Sequence, residues 1–264
     1  MAYTGIQSKI CTNVIIISQM WREIGDAFRT LGSESNECRC ILLVGEGKSF
    51  CSGIDIADES FGFMDANDSN ENESDVARKY LSFRSKILEM QACLTAIEEC
   101  PVPVVAAIHG ACIGGGIDLS CCADVRICSP TANFSVREAR LGLAADVGTL
   151  QRLPKQCGHN SRVKELCLSG EDFGAMEASR IGFVSRVEED VFGAAMEVCE
   201  RIALNSPVAV QGTKFSLNYS RDHSVKEGLE HIAMHNSAAL MTDDLMASVM
   251  ATGKFKHMLP QARL

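Results

Sequence analysis

The 264-residue chain is 46% hydrophobic and 22% charged, enough apolar surface for one large domain or a core with a small appendage. Its net charge of −9, with no basic stripe along the sequence, excludes a sequence-independent nucleic-acid binder. No stretch reaches the roughly 18 consecutive apolar residues of a membrane-spanning helix, and the first residues lack the charged-then-apolar layout of a signal peptide, so neither nucleic acid nor membrane is an expected partner.

Early in the chain, Ile15-Ile-Ile-Ser-Gln-Met20 runs directly into Trp21 and Arg22. Residues 41–45 then form a short apolar run ending in glycine, the pattern of a buried strand. The stretches 103–109 and 123–128 are expected as a second and a third strand. The acidic, polar run 65–75 has no apolar spacing and predicts a surface loop, whereas 76–100 recovers helical periodicity through Val76, Tyr80, Phe83, Ile87, Met90, Leu94 and Ile97. From about residue 190 onward the chain reads as helices: 190–204, 207–219, 224–240 and 243–252. Strands alternating with helices imply an α/β architecture. The expected division is a core over 1–190 and a helical region used for self-association over 191–264.

The thirteen cysteines are scattered through apolar runs (Cys112, Cys121, Cys122, Cys128, Cys167), where a thiol behaves as a small hydrophobe. Paired C-x-x-C knuckles are absent, so no metal is expected, and the usage suggests a reducing compartment. His231 and His235 stand four apart on an expected helix, but without the H-E-x-x-H pattern they read as surface or interface residues.

Two glycine-bearing turns follow the first two predicted strands, Phe50-Cys-Ser-Gly-Ile-Asp55 and Ile113-Gly-Gly-Gly-Ile-Asp118. Glycine lets backbone approach backbone and leaves N–H groups free at a helix start. Two such turns could aim donors at one developing oxyanion, although each alone reads as an ordinary strand-to-helix turn. Downstream, Glu138 and Asp146 are carboxylates in an otherwise apolar, glycine-containing segment. Such a setting raises a carboxyl pKa and suits proton transfer near neutrality. Asp146 could equally cap the helix that follows it.

These stretches, with Trp21-Arg-Glu, Cys100-Pro-Val-Pro, His109-Gly-Ala-Cys-Ile-Gly-Gly-Gly-Ile-Asp-Leu119, Gly142-Leu-Ala-Ala-Asp-Val-Gly-Thr-Leu-Gln-Arg-Leu-Pro154 and Ser220–Leu229, resemble the crotonase (enoyl-CoA hydratase/isomerase) superfamily. Within it they are most similar to the Δ3,5-Δ2,4-dienoyl-CoA isomerases. The resemblance implies a spiral of ββα units with a C-terminal helical trimerisation region, assembling as a homotrimer or homohexamer. It places the oxyanion-hole N–H groups at Ile54 and Gly115 and the active-site carboxylates at Asp118, Glu138 and Asp146. A typical hydratase would carry Glu at the position of Asp118 and Gly at that of Asp146. The implied reaction is isomerisation of a 3,5-dienoyl-CoA to the 2,4-diene in fatty-acid β-oxidation, with CoA entering as part of the substrate and no separate cofactor. Relatives carry an N-R-P-x-x-x-N-A-like loop before the helix holding Trp21. That loop is missing here, which leaves Arg22, Lys254 and Lys256 as the candidate contacts for CoA. An enoyl-CoA hydratase and a non-catalytic scaffold of the same fold are the alternatives. The tripeptide Ala262-Arg-Leu264 resembles a peroxisomal address and points to a peroxisome-like organelle, with mitochondria or cytoplasm as alternatives.

Overall fold

The computed structural model describes residues 8–12, 18–33, 38–55 and 75–250. β1 (Ser8–Thr12), α1 (Ser18–Leu31), β2 (Ile41–Gly45) and α2 (Val76–Glu99) come first, followed by β3 (Val104–Ile108), β4 (Ala111–Ile113), α3 (Gly115–Cys121), β5 (Val125–Cys128) and β6 (Asn133–Ser135). After a 3₁₀ turn at Glu138–Leu141 come α4 (Thr149–Gln156), α5 (Asn160–Ser169), β7 (Phe173–Gly174), α6 (Ala175–Ile181) and β8 (Arg186–Val187). The chain then continues through α7 (Val191–Ala203), α8 (Pro207–Ser220), α9 (Val225–Ala239) and α10 (Asp243–Met250).

Five strands form one parallel sheet in the order β1-β2-β3-β5-β8, and β4-β6-β7 form a second, smaller sheet. Each of β3 and β5 lies in the large sheet and hands the chain to a partner strand, β4 or β6, in the small one. A helix follows each pair. This is the expected spiral of ββα units, and it finishes in helices. The predicted strands at 41–45, 103–109 and 123–128 are β2, β3 and β5. The predicted helices after residue 190 are α7 to α10, each within two residues of its expected ends.

Alternation along the central strands divides the interior into two layers. Ile41, Leu43, Val104, Ala106 and Ile108 join Trp21, Phe28, Leu94, Ile97 and Phe134 on one face. Leu42, Val44, Val105, Ala107 and Ile127 meet Val191, Ala195, Val198 and Cys199 of α7 on the other. Covered on both sides, β2 and β3 have every residue buried, which is why their sequences are continuous apolar runs.

Local chemistry sets the helix ends. Asp75 accepts a hydrogen bond from the Ala77 N–H and starts α2, which stops at Cys100, where Pro101 disfavours a further helical residue. Most of the acidic run 65–75, like residues 13–17, lies outside the described residues. Ser224 and Glu227 form a reciprocal capping box on α9. α8 is tied to the core by the buried Lys214, whose Nζ lies 2.8 Å from Asp124 Oδ2 and donates to the Val102 carbonyl. Among the described residues, no helix is long and apolar enough to cross a membrane, and no disulfide joins the described cysteines.

Candidate active site

The two glycine turns predicted from the sequence are side by side. Cys51 pairs with Cys112 in a parallel bridge. The Cys51 N–H donates to the Ala111 carbonyl at 2.9 Å, and the Ile113 N–H donates to the Cys51 carbonyl at 2.9 Å. The contact tolerates no side chain at its closest points: a methyl on Gly116 would stand 2.8 Å from the Cys51 carbonyl oxygen. Gly114 has φ +53°, ψ −117°, a conformation reserved for glycine. This bend sets Gly115 at the start of α3, where its N–H has no acceptor inside the helix. A methyl on Gly115 would lie 3.2 Å from Ile54 Cγ1 and 3.6 Å from the indole Cζ2 of Trp21. Ile54 and Gly115 therefore border one small space, with Trp21 packed behind the second turn.

β6 brings the first carboxylate to that space. It pairs with β4 in the register Ile113↔Ser135, so Glu138, three residues on, comes alongside Gly114. A methyl at Gly114 would be 3.3 Å from Glu138 Oε1. Glu138 is buried, and its Oε2 has no hydrogen-bond partner. Burial raises its pKa, and the Asp146 charge raises it further.

Asp118 lies one turn into α3, fully buried. Its Oδ1 accepts two hydrogen bonds from Thr149, from the main-chain N–H at 2.6 Å and from Oγ1 at 2.7 Å, while Oδ2 has no partner. Burial pushes its carboxyl up to about 7, helped by the charges of Glu138 and Asp146 and opposed by the Thr149 donors. Asp146 is exposed, between the buried Ala145 and Val147. Partial desolvation raises its pKa as well. Its main-chain carbonyl accepts a hydrogen bond from Gln91 Nε2 of α2 at 2.6 Å. The expectation that Asp146 might cap α4 is corrected: Gly148 holds the cap position, with no side-chain cap there, and it is Asp118 that accepts the Thr149 N–H.

The structure thus sets Ile54, Gly115 and Glu138 around one space, with Asp118 and Asp146 within electrostatic reach of the Glu138 carboxyl. All three are raised, which favours keeping at least one proton among them near neutrality. Arg22 is bound elsewhere: it forms an exposed ion pair with Glu89 at 2.5 Å. Lys254 and Lys256 lie outside the described residues. Sequence reasoning did not single out Thr149 or Gln91, since their partners are 31 and 55 residues distant. Trp21 packs directly against the Gly115 turn. His231 and His235 lie against the Phe215 ring of α8, with His231 also stacked on Tyr219.

Known proteins resemble this chain over most of its length. The profile of the family described as enoyl-CoA hydratase/isomerase matches residues 12–257. The mitochondrial Δ(3,5)-Δ(2,4)-dienoyl-CoA isomerase of Mus musculus is 45% identical over 234 residues, 88% of this chain and 70% of that protein. The human mitochondrial protein of the same name is 44% identical over 90% of this chain and 72% of its own length. The peroxisomal one of Arabidopsis thaliana is 45% identical over 80% and 75%. Among solved structures, an enoyl-CoA hydratase/isomerase from Cupriavidus metallidurans CH34 superposes with a TM-score of 0.79 at 27% identity, covering 92% of this chain and 88% of that one. An enoyl-CoA hydratase from Bacillus anthracis shares the fold with a TM-score of 0.82 at 24% identity, covering 98% and 97%. The chain belongs to the enoyl-CoA hydratase/isomerase family.

Proposed function

We propose that this protein isomerises 3,5-dienoyl-CoA to 2,4-dienoyl-CoA in fatty-acid β-oxidation, the activity named for the relatives that are 44–46% identical to it. The observation that carries the mechanism is a buried glutamate, Glu138, set against the Gly114–Gly115 turn, with two further raised carboxyls beside it.

The thioester carbonyl accepts hydrogen bonds from the N–H groups of Ile54 and Gly115. Glu138 removes a proton from C2, and the electron pair spreads over C2, C4, C6 and the thioester oxygen as a dienolate. Fixed N–H donors stabilise that oxygen as its charge grows, and losing one such donor typically costs about 2.7–4 kcal/mol. Asp146 delivers a proton to C6, which leaves double bonds at C2–C3 and C4–C5. The cycle closes when Glu138 loses its proton and Asp146 regains one. Asp118, holding a proton near neutrality, limits the negative charge between them. CoA is carried in with the substrate, and no separate cofactor takes part.

Arg22, Lys254 and Lys256 supply cations for the CoA phosphates. For Arg22 this means exchanging Glu89, and an exposed ion pair of that kind contributes only about 0–1 kcal/mol. The tail helices present Val225, Leu229, Met234, Met246, Val249 and Met250 at the surface, which supports assembly as a homotrimer or homohexamer. The peroxisomal relative from Arabidopsis thaliana supports a peroxisome-like destination.

Purified protein given a 3,5-dienoyl-CoA should produce the ultraviolet absorbance of a conjugated 2,4-dienoyl-CoA. Hydration of a 2-enoyl-CoA with no such isomerisation would overturn the proposal in favour of a hydratase, and acyl-CoA binding without turnover in favour of a scaffold.

A further inference from the structure

We infer that Thr149 is a positioning residue of this site, holding Asp118 by one oxygen and tying it to the segment that carries Asp146. The inference rests on the isomerase reading for its kinetic consequence, though not for its structural one.

Asp118, in α3, is buried against the start of α4. The titratable groups facing it are the carboxyls of Glu138 and Asp146 and the thiols of Cys51, Cys112, Cys121 and Cys122. Burial lifts those thiols well into the alkaline range, so they stay neutral, and the carboxyls only add negative charge. Both of the side chain's hydrogen bonds come from Thr149, and both fall on Oδ1. One of these donors is the first N–H of α4, which has no acceptor within its helix. The other is a hydroxyl that is itself buried.

Two consequences follow from this geometry. Oδ1 is saturated with donors, so the proton of a neutral Asp118 resides on Oδ2, the oxygen without a partner. The carboxyl then has one defined orientation. Thr149 is also three residues after Asp146, whose carbonyl is held from the other side by Gln91. The loop bearing the second proton-handling group is therefore suspended between α2 and Asp118. Charge on Asp118 shortens and strengthens the Thr149 bonds, and protonation relaxes them, so the state of one carboxyl reaches the position of the other through three residues of backbone.

The test uses the full chain with Thr149→Val, which keeps the N–H and the branched shape but removes the hydroxyl donor. The Asp118 carboxyl is followed by infrared titration of its protonated band, identified as the band that Asp118→Asn abolishes. Loss of one charge-assisted donor should move the midpoint alkaline by about one pH unit. In the same variant kcat should fall by about tenfold with KM near that of the wild type, and the neutral limb of the kcat profile should move with the infrared midpoint. Thr149→Ser, which restores the hydroxyl, should restore both. Thr149→Ala reads the same titration should the valine chain not fold. An unmoved midpoint in Thr149→Val or Thr149→Ala overturns the inference, as does a serine variant that behaves like valine. A wild type without isomerase activity would refute the functional reading alone, because the infrared titration still decides the role of Thr149.

Discussion

Replacing Asp146 with asparagine keeps the shape of the side chain and removes its charge and its transferable proton. The fold should hardly notice. Asp146 is exposed, and its loop is anchored through the main-chain carbonyl to Gln91, an interaction the substitution leaves in place. Surface changes of this kind fall within about 0.5 kcal/mol of stability. Catalysis should suffer far more. A positioned general acid or base contributes about 10²–10⁴-fold, which at 1.36 kcal/mol per decade is about 2.7–5.4 kcal/mol of barrier. A second effect has a definite sign. The Asp146 charge raises the pKa of both Glu138 and Asp118, so its removal lowers both, and the pH profile of the residual activity should move acid. The assay follows absorbance of the conjugated 2,4-dienoyl-CoA across pH, on protein whose melting temperature and assembly match the wild type. Unchanged turnover by a folded Asp146→Asn protein would refute the role given to this carboxylate. An alkaline shift would refute the account of its electrostatics.

Two further outcomes concern stability. The carboxyl of Asp118 rises from 3.8 to about 7 on folding, so the native state binds its proton more tightly than the unfolded chain does. Stability therefore falls as pH rises from about 4 to 7, by at most about 4 kcal/mol, and the loss is complete above that window. Asp118→Asn should be more resistant to urea than the wild type at pH 8 and similar to it at pH 4; equal stability at pH 8 would contradict this. Lys214→Ala removes the buried cation from the part-buried Asp124 carboxylate and should cost about 1–3 kcal/mol in urea unfolding, with part of that recovered by adding Asp124→Asn. A loss below about 1 kcal/mol would show that the ion pair does not tie α8 down.

The parts of this fold legible in the sequence are those whose pattern is long enough to repeat. β2 and β3 read as apolar runs because both faces of the sheet are covered, and α7 to α10 read from helical periodicity and from punctuation such as Ser206-Pro207 and Asp222. The strands β4, β6, β7 and β8 have two or three residues each, too few for any alternation to show. Yet β4 and β6 are what set Glu138 beside Gly114. The same holds in the site. The glycine turns and the apolar settings of Glu138 and Asp146 could be read locally, whereas grouping them with Asp118 drew on family resemblance. The bond from Thr149 to Asp118 spans 31 residues and leaves no local trace, except that α4 opens on glycine and threonine with no acidic or hydroxyl residue at its cap.

Eleven of the twelve described cysteines are buried, and this makes the interior a recorder of its own opening. Burial lifts the Cys51 and Cys157 thiols to about 11 and those of Cys122 and Cys128 to about 12. At neutral pH the reactive thiolate of the first two is then on the order of one molecule in ten thousand, and an alkylating reagent cannot reach the sulfur in any case. Each label acquired under native conditions must therefore mark an excursion in which that part of the chain came apart. Cys112, Cys121 and Cys122 sit around the carboxylates, Cys93 in the second half of α2 and Cys100 at its end, and Cys40 and Cys199 where α7 covers the opposite face of the sheet. Mass spectrometry of labelled peptides would time these regions separately in one sample, with acyl-CoA added or withheld, and would tell whether the site opens with its substrate or only when the whole core gives way.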